Sequence, residues 1–127
     1  MSGYVTDIEE ETRNNEYFRK VLFTGKHNQL VVMSLQPGED IGMEVHPSVD
    51  QFFRVEEGYG KIIIDGQESQ LKDGNVVVVT AGSEHNIINT GNTELKLYTI
   101  YSPPNHPEGT VHKTKAEAEA AEEHHNS

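Results

Sequence analysis

The sequence predicts an all-β domain, an antiparallel sandwich or barrel, from three observations. Short runs rich in Val, Ile, Leu and aromatic residues recur from Tyr17 to Tyr101. Turn signals built on Gly, Pro, Asn and Asp separate them at nearly regular spacing. Several runs place their apolar residues on one face at a period of two, as in Gln29, Val31, Met33 and Leu35. The chain has 127 residues, enough for one domain with a real core, and its 34% hydrophobic content predicts that core to be compact, with solvated ends.

Taken in order, residues 1–16 are polar and acidic and predict a loose N-terminal arm with about one helical turn. Tyr17 to Thr24 reads as a strand ended by Gly25-Lys26, and Asn28 to Leu35 as the next, stopped by Pro37-Gly38. Strands are then expected over Ile41 to His46, Gln51 to Val55 and Lys61 to Asp65. Asp65-Gly66 is a hairpin signal leading into Gln67 to Leu71. The four valines from Val76 to Val79 predict a buried strand. Glu84 to Asn89 and Glu94 to Tyr101 complete the barrel over residues 17–101. Residues 102–127 form a different region. Ser102 to Gly109 carries three prolines and reads as an extended arm, and Lys113 to His125 is helical by its alanines, with Thr114 and Glu117 spaced as a capping box. Alanine is the only apolar stripe of that helix, so it is expected to be exposed or frayed. His124 and His125, at a polar terminus, are read as solvated.

The totals exclude some functions. A net charge of −11 repels phosphate backbones and anionic membranes, so neither nucleic acid nor membrane is an expected partner. The absence of cysteine removes disulfides and thiolate sites and suits the cytoplasm. The N-terminal stretch has neither an apolar run nor a basic start, so no signal peptide is expected.

The chemistry concentrates in Gly38 to Gly58. Glu44 and His46 are two apart, so on a strand both point to one face, and after the turn-like Pro47 to Asp50, Gln51 can return beside them. A second stretch, Gly74 to Asn89, supplies His85. These four residues are read as one metal site inside the barrel. Singly, each is as well explained as an ordinary polar residue. If Gln51 points inward, so do Phe53 and Val55; His85 takes Ile87 and Asn89 with it; and Leu97, Thr99 and Tyr101 share a face. Phe53 and Tyr101 are the expected pocket lining, with core packing as the alternative. Met33 and Met43 are assigned to the core, Phe52 to an exposed apolar face, and His106 to a position near substrate if the proline-rich arm folds over the mouth.

The two stretches resemble the paired motifs of the cupin superfamily. The first motif is a glycine, five residues, His-x-His, three or four residues, Glu, six residues, glycine. The second is a glycine, five residues, Pro-x-Gly, two residues, His, three residues, Asn. Every spacing is met between Gly38 and Asn89. Val45-His46-Pro47 with Asp50-Gln51, and Pro103 to Pro107 with Gly109 to His112, further resemble short stand-alone cupins labelled mannose-6-phosphate-isomerase-like. The resemblance implies a double-stranded β-helix (jelly-roll) barrel with a short C-terminal helix, and a homodimer. It also implies a divalent metal ion on the motif positions, here Glu44, His46, Gln51 and His85. Glu44 stands where the family has its first histidine, Gln51 where it has its glutamate, and Thr80 where it has proline. The ligand set changes from three imidazoles and a carboxylate to two imidazoles, a carboxylate and an amide, so one anionic donor is kept. Such a set suits Fe, Mn, Zn, Ni or Co. Three readings stay open: a metal-dependent enzyme of isomerase or oxygenase type on a small polar substrate, a non-catalytic module binding metal or small ligand, and a structural dimer with a degraded site.

Overall fold

A computed structural model describes residues 2–126, with side chains through Glu122; those of His124 and His125 lie outside the described residues. The elements are α1 (Ile8–Asn14), β1 (Arg19–Thr24), β2 (Gln29–Leu35), β3 (Asp50–Glu57), β4 (Tyr59–Ile64), β5 (Gln67–Lys72), β6 (Val76–Val79), β7 (His85–Asn89), β8 (Leu95–Ser102), β9 (Val111–His112) and α2 (Lys115–Asn126). The strands make two antiparallel sheets. One has six strands in the order β6-β3-β8-β2-β1-β9, the other three in the order β5-β4-β7. The expected all-β barrel with a C-terminal helix is the observed architecture.

Alternation places the core between the sheets. Gln51, Phe53 and Val55 of β3, Leu97, Thr99 and Tyr101 of β8, and Val31, Met33 and Leu35 of β2 are all buried. Pairing aligns them in rows: Gln51 faces Tyr101, which faces Gln29, and one step along Phe53 faces Thr99, which faces Val31. From the small sheet, Ile62, Leu71 and Ile87 close the other side. Each large apolar side chain buried this way contributes roughly 1.5–3 kcal/mol. Asp65-Gly66 turns the β4–β5 hairpin with both residues at positive φ, 48° and 85°, as the dipeptide predicts. Gly58 is required by contact as well as conformation. Its φ is 96°, and a Cβ there would sit 2.5 Å from the Glu94 carbonyl oxygen.

Several expectations are corrected. The valine run is half buried: β6 is an edge strand, so only Val77 and Val79 point inward while Val76 and Val78 are 49% and 61% exposed. Ile41 to His46 is not a continuous strand. Gly42 takes a left-handed φ of 91°, and the segment meets β7 only through bridges at Asp40–Ile88 and Glu44–His85. The acidic N-terminal region is not loose throughout. Asp7 caps α1, Thr12 is fully buried, and the Lys96 ammonium donates to the carbonyls of Arg13 and Asn15 at 2.9 and 2.8 Å, where helix-end oxygens favour a cation.

The C-terminal region also departs from expectation. The proline-rich arm folds back along the barrel, held by Gln29, which is fully buried. Its Oε1 accepts from the backbone N–H groups of Asn105 and His106, and its Nε2 donates to the His106 carbonyl and the Thr24 hydroxyl, at 2.8–3.1 Å. Beyond β9, the Glu117 N–H donates to the Thr114 hydroxyl at 3.1 Å, the forward half of a capping box. Helix α2 is exposed along most of its described length, as expected, but it touches the barrel: Ala118 is buried, and Lys115 pairs with Asp40. Burial pushes the Asp40 carboxyl up, but hydrogen bonds from Lys115 and Asn86 outweigh it, and its pKa is lowered.

Gln29→Leu is expected to destabilise the protein by about 2–4 kcal/mol, because it strands buried amides and a carbonyl of the arm. Thermal denaturation measures the loss, and hydrogen exchange should rise at Asn105 and His106 while the β3–β8 ladder keeps its protection.

Candidate metal centre

Two backbone bonds build the site. The Glu44 N–H donates to the His85 carbonyl, and the His85 N–H to the Glu44 carbonyl, both at 2.9 Å. This bridge joins an irregular segment to the first residue of β7. His46 follows two residues later, and the Gly82 N–H donates to its carbonyl at 2.9 Å, which fixes the segment a second time. Gln51 arrives from the start of β3. The four residues read from the sequence therefore converge. One donor atom each from Glu44, His46 and His85 lie within 4.8 Å of one another, and Gln51 Oε1 lies 3.2 Å from His85 Nε2.

The hydrogen bonding behind these groups orients their lone pairs. His85 Nδ1 is 3.1 Å from the Ser83 carbonyl oxygen, which can only accept, so Nδ1 carries the proton and Nε2 presents a lone pair. The Gln51 amide donates to the Thr99 hydroxyl at 3.0 Å, which turns Oε1 toward the site. Two acceptors, His85 Nε2 and Gln51 Oε1, thus face each other, and a proton or a cation between them reconciles the contact. His46 Nε2 approaches Glu44 Oε2 at 2.7 Å without hydrogen-bond geometry, and this buried nitrogen has no hydrogen-bond partner among the described residues. Burial pushes the Glu44 carboxyl up as the largest single influence. The contact with His46 and the electrostatic pull of His46, Arg19 and His85 more than offset it, so its pKa is lowered and the anion is favoured. Two oriented imidazoles, one anion and one amide oxygen fit a divalent ion and could hold one.

His85 and Gln51 form the buried floor, and Glu44 and His46 open onto a cavity of about 490 Å³. Its walls are Met43 and Val45 on one side, Arg19 on another, and Asn105, His106, Thr110 and His112 of the C-terminal arm; Ala118 and Ala121 of α2 roof it. Met43, assigned to the core by its type, is 52% exposed at the rim, whereas Met33 is fully buried. Phe53 and Tyr101 pack behind the cavity instead of lining it, within ring-to-ring distance of His85 (6.1 Å) and His46 (6.0 Å). His106 does reach the cavity, because the arm folds over the mouth. Its Nε2 and the Tyr101 hydroxyl share a hydrogen bond at 3.2 Å. Burial, then the charge of Arg19, pushes the His106 pKa down to about 3, and burial pushes Tyr101 up to about 12. Both are neutral near pH 7.

Arg19, and the places of His112 and the α2 alanines at the cavity, are absent from the sequence reading. Arg19 had a signal: it alternates with the buried Val21 and so falls on the inward face of β1. The contribution of α2 had none, since only tertiary docking puts its alanines over the mouth.

Residues 31–101 match the cupin domain family. This chain is a cupin. The wider family is what the match carries, and the mannose-6-phosphate-isomerase-like label remains a resemblance. The chain is 53% identical over 126 residues to the uncharacterized protein YrkC of Bacillus subtilis, covering 94% of this chain and 68% of that one. It is 31% identical over 68 residues to an oxalate-binding protein of Thermotoga maritima, covering 54% of this chain and 56% of that one. Among solved structures, a Bacillus halodurans protein superposes with a TM-score of 0.91 at 50% identity, covering 92% of this cupin and 93% of that chain. A predicted oxalate decarboxylase from Thermotoga maritima superposes at 0.59 and 28% identity, covering 62% and 69%. No helix among the described residues is long and apolar enough to cross a membrane.

Because its folded pKa is lowered, Glu44 contributes stability that is present above the ordinary carboxylate value of 4.5 and is lost as pH falls through its folded value. Metal-free Glu44→Gln protein should therefore show a shallower fall in melting temperature than the wild type as pH drops below the ordinary carboxylate value of 4.5. Parallel acid limbs in the two proteins would refute the assignment of this linkage to Glu44.

Proposed function

We propose that this cupin is a metal-dependent enzyme acting on a small polar substrate, of isomerase or oxygenase type. Glu44, His46, His85 and Gln51 hold one divalent ion drawn from Fe, Mn, Zn, Ni or Co. The observation that carries the reading is the convergence of oriented donor atoms, one of them a buried imidazole nitrogen without a hydrogen-bond partner among the described residues, at the floor of a cavity. A bound ion there supplies Lewis acidity, or electrons if it is redox-active.

The protein's own groups do the rest. His85 is aimed by Ser83, and Gln51 by Thr99. The neutral Tyr101–His106 pair gives the cavity wall a polar contact that carries no charge near pH 7. Helix α2 and the arm shield the cavity from bulk water, which strengthens electrostatic contacts inside it.

A non-catalytic binding module is the second reading, favoured by the Thermotoga maritima relative named as an oxalate-binding protein. Exposed Val76 and Val78 beside the Phe52–Tyr98 pair support a homodimer through the outer face of the large sheet. The lack of cysteine suits a cytoplasmic setting.

Protein purified without an affinity tag should contain close to one equivalent of metal by elemental analysis. His46→Ala and His85→Ala should each lose it, together with the metal-dependent stabilisation, about 2.7 kcal/mol at a hundredfold excess over Kd, that raises the melting temperature. Unchanged metal content in both variants would refute the site. Turnover in a panel of sugars, diols and oxygen-uptake assays, abolished by Glu44→Gln in folded protein, separates enzyme from module.

A further inference from the structure

Arg19 is a charge in an unusual place. It sits on the inward face of β1, in a row whose other members are Met33, Leu97 and Val55. It is 7% exposed. Buried guanidinium groups are ordinarily paired with carboxylates, because an uncompensated buried charge costs several kcal/mol. Here Nη1 donates to Nδ1 of His112 at 3.2 Å, the guanidinium also acts on the Tyr101 hydroxyl, and Glu44 feels its charge without a direct hydrogen bond among the described residues. His112 accepts that bond, and burial followed by the charge of Arg19 holds its pKa down, so it is a neutral partner. Arg19 Nε is buried with no hydrogen-bond partner among the described residues. The guanidinium lines the same cavity as Glu44 and His46.

We propose that Arg19 is the anion-binding residue of this cavity, and that the ligand is a small organic acid whose carboxylate docks on the free Nε edge of the guanidinium. Planar guanidinium and carboxylate match in a paired, charge-assisted contact that an ammonium does not reproduce. The surroundings select a carboxylate over a phosphate ester. Arg19 is the one permanently charged cation among the described cavity-lining residues, His106 is neutral and Glu44 is anionic, so in the metal-free protein a dianionic head would be under-compensated. The methylene and methyl surfaces of Met43, Val45 and Ala118 leave room for a short carbon skeleton. His112 is a positioning residue: it holds Nη1 and leaves Nε and Nη2 without a hydrogen bond to it. The inference deepens the metal-site reading by naming the substrate class, and rests on it only for where the ligand's other end lies.

The test uses the full chain, metal-loaded and metal-free, titrated calorimetrically with acetate, malonate and succinate, with malonamide as the neutral counterpart and inorganic phosphate as the competing anion. At least one carboxylate should bind, malonamide and phosphate more weakly, and binding should shift the Arg19 Nε resonance in the 15N spectrum of the wild type. Arg19→Met should weaken carboxylate binding by about tenfold to a hundredfold, with Arg19→Lys in between and metal content unchanged in both. The spectrum needs no variant, so an unfolded Arg19→Met protein does not remove the test. The proposal is overturned if no carboxylate binds either form, if phosphate or malonamide binds as well as the acids, or if the Arg19 resonance stays put at saturation. A protein that takes up no metal, yet whose Arg19 takes carboxylate, would sink the metal reading and leave this one standing.

Discussion

The reciprocal pair of backbone bonds between Glu44 and His85 is the constraint on which the site depends. Residues 36–49 have little regular structure, broken by the left-handed Gly42. Without an anchor, side chains on such a segment would sample many positions and lose the order that metal binding needs. The bridge uses the free edge of β7 as that anchor. With the Asp40–Ile88 bridge it gives the segment the register of a strand at two residues, and one of them carries the carboxylate. His85 contributes its backbone to the bridge and its imidazole to the site, so the two ligands are positioned by one local geometry.

Around that bridge the interior distributes charge sparingly. The chain is strongly acidic overall, yet the described side chains around the site and cavity include one lowered carboxylate, Glu44, and one arginine, Arg19. Tyr101, His106 and His112 fill the space between them in neutral forms, held so mainly by burial. A low-dielectric wall of neutral donors and acceptors keeps the Glu44 and Arg19 charges effective, because little nearby polarity screens them. Placing the carboxylate at Glu44 instead of position 51 leaves one anionic group in the set and puts it on the cavity lining, where the charge of Arg19 acts on it.

The cover is built on different physics from the barrel. The sheets close on rows of apolar side chains. The arm is held by the four hydrogen bonds of Gln29, and α2 by Ala118 and the Lys115–Asp40 pair. Polar tethers with little apolar burial open more readily than a packed core.

The strands, the Asp65-Gly66 hairpin and the inward faces of β3, β7 and β8 were legible in the sequence, because side-chain alternation and turn chemistry are local properties. The four candidate ligands were legible for a related reason: Glu44, His46 and Gln51 are close in sequence, and His85 lies at the spacing of a known pair of motifs. Whether Val76 and Val78 were buried depended on β6 having one neighbouring strand instead of two, and no local pattern encodes an edge. The same holds for the Gln29 latch, the docking of α2 and the unpaired edge of Arg19. Each depends on which distant segment packs opposite, and only the assembled sheets decide that.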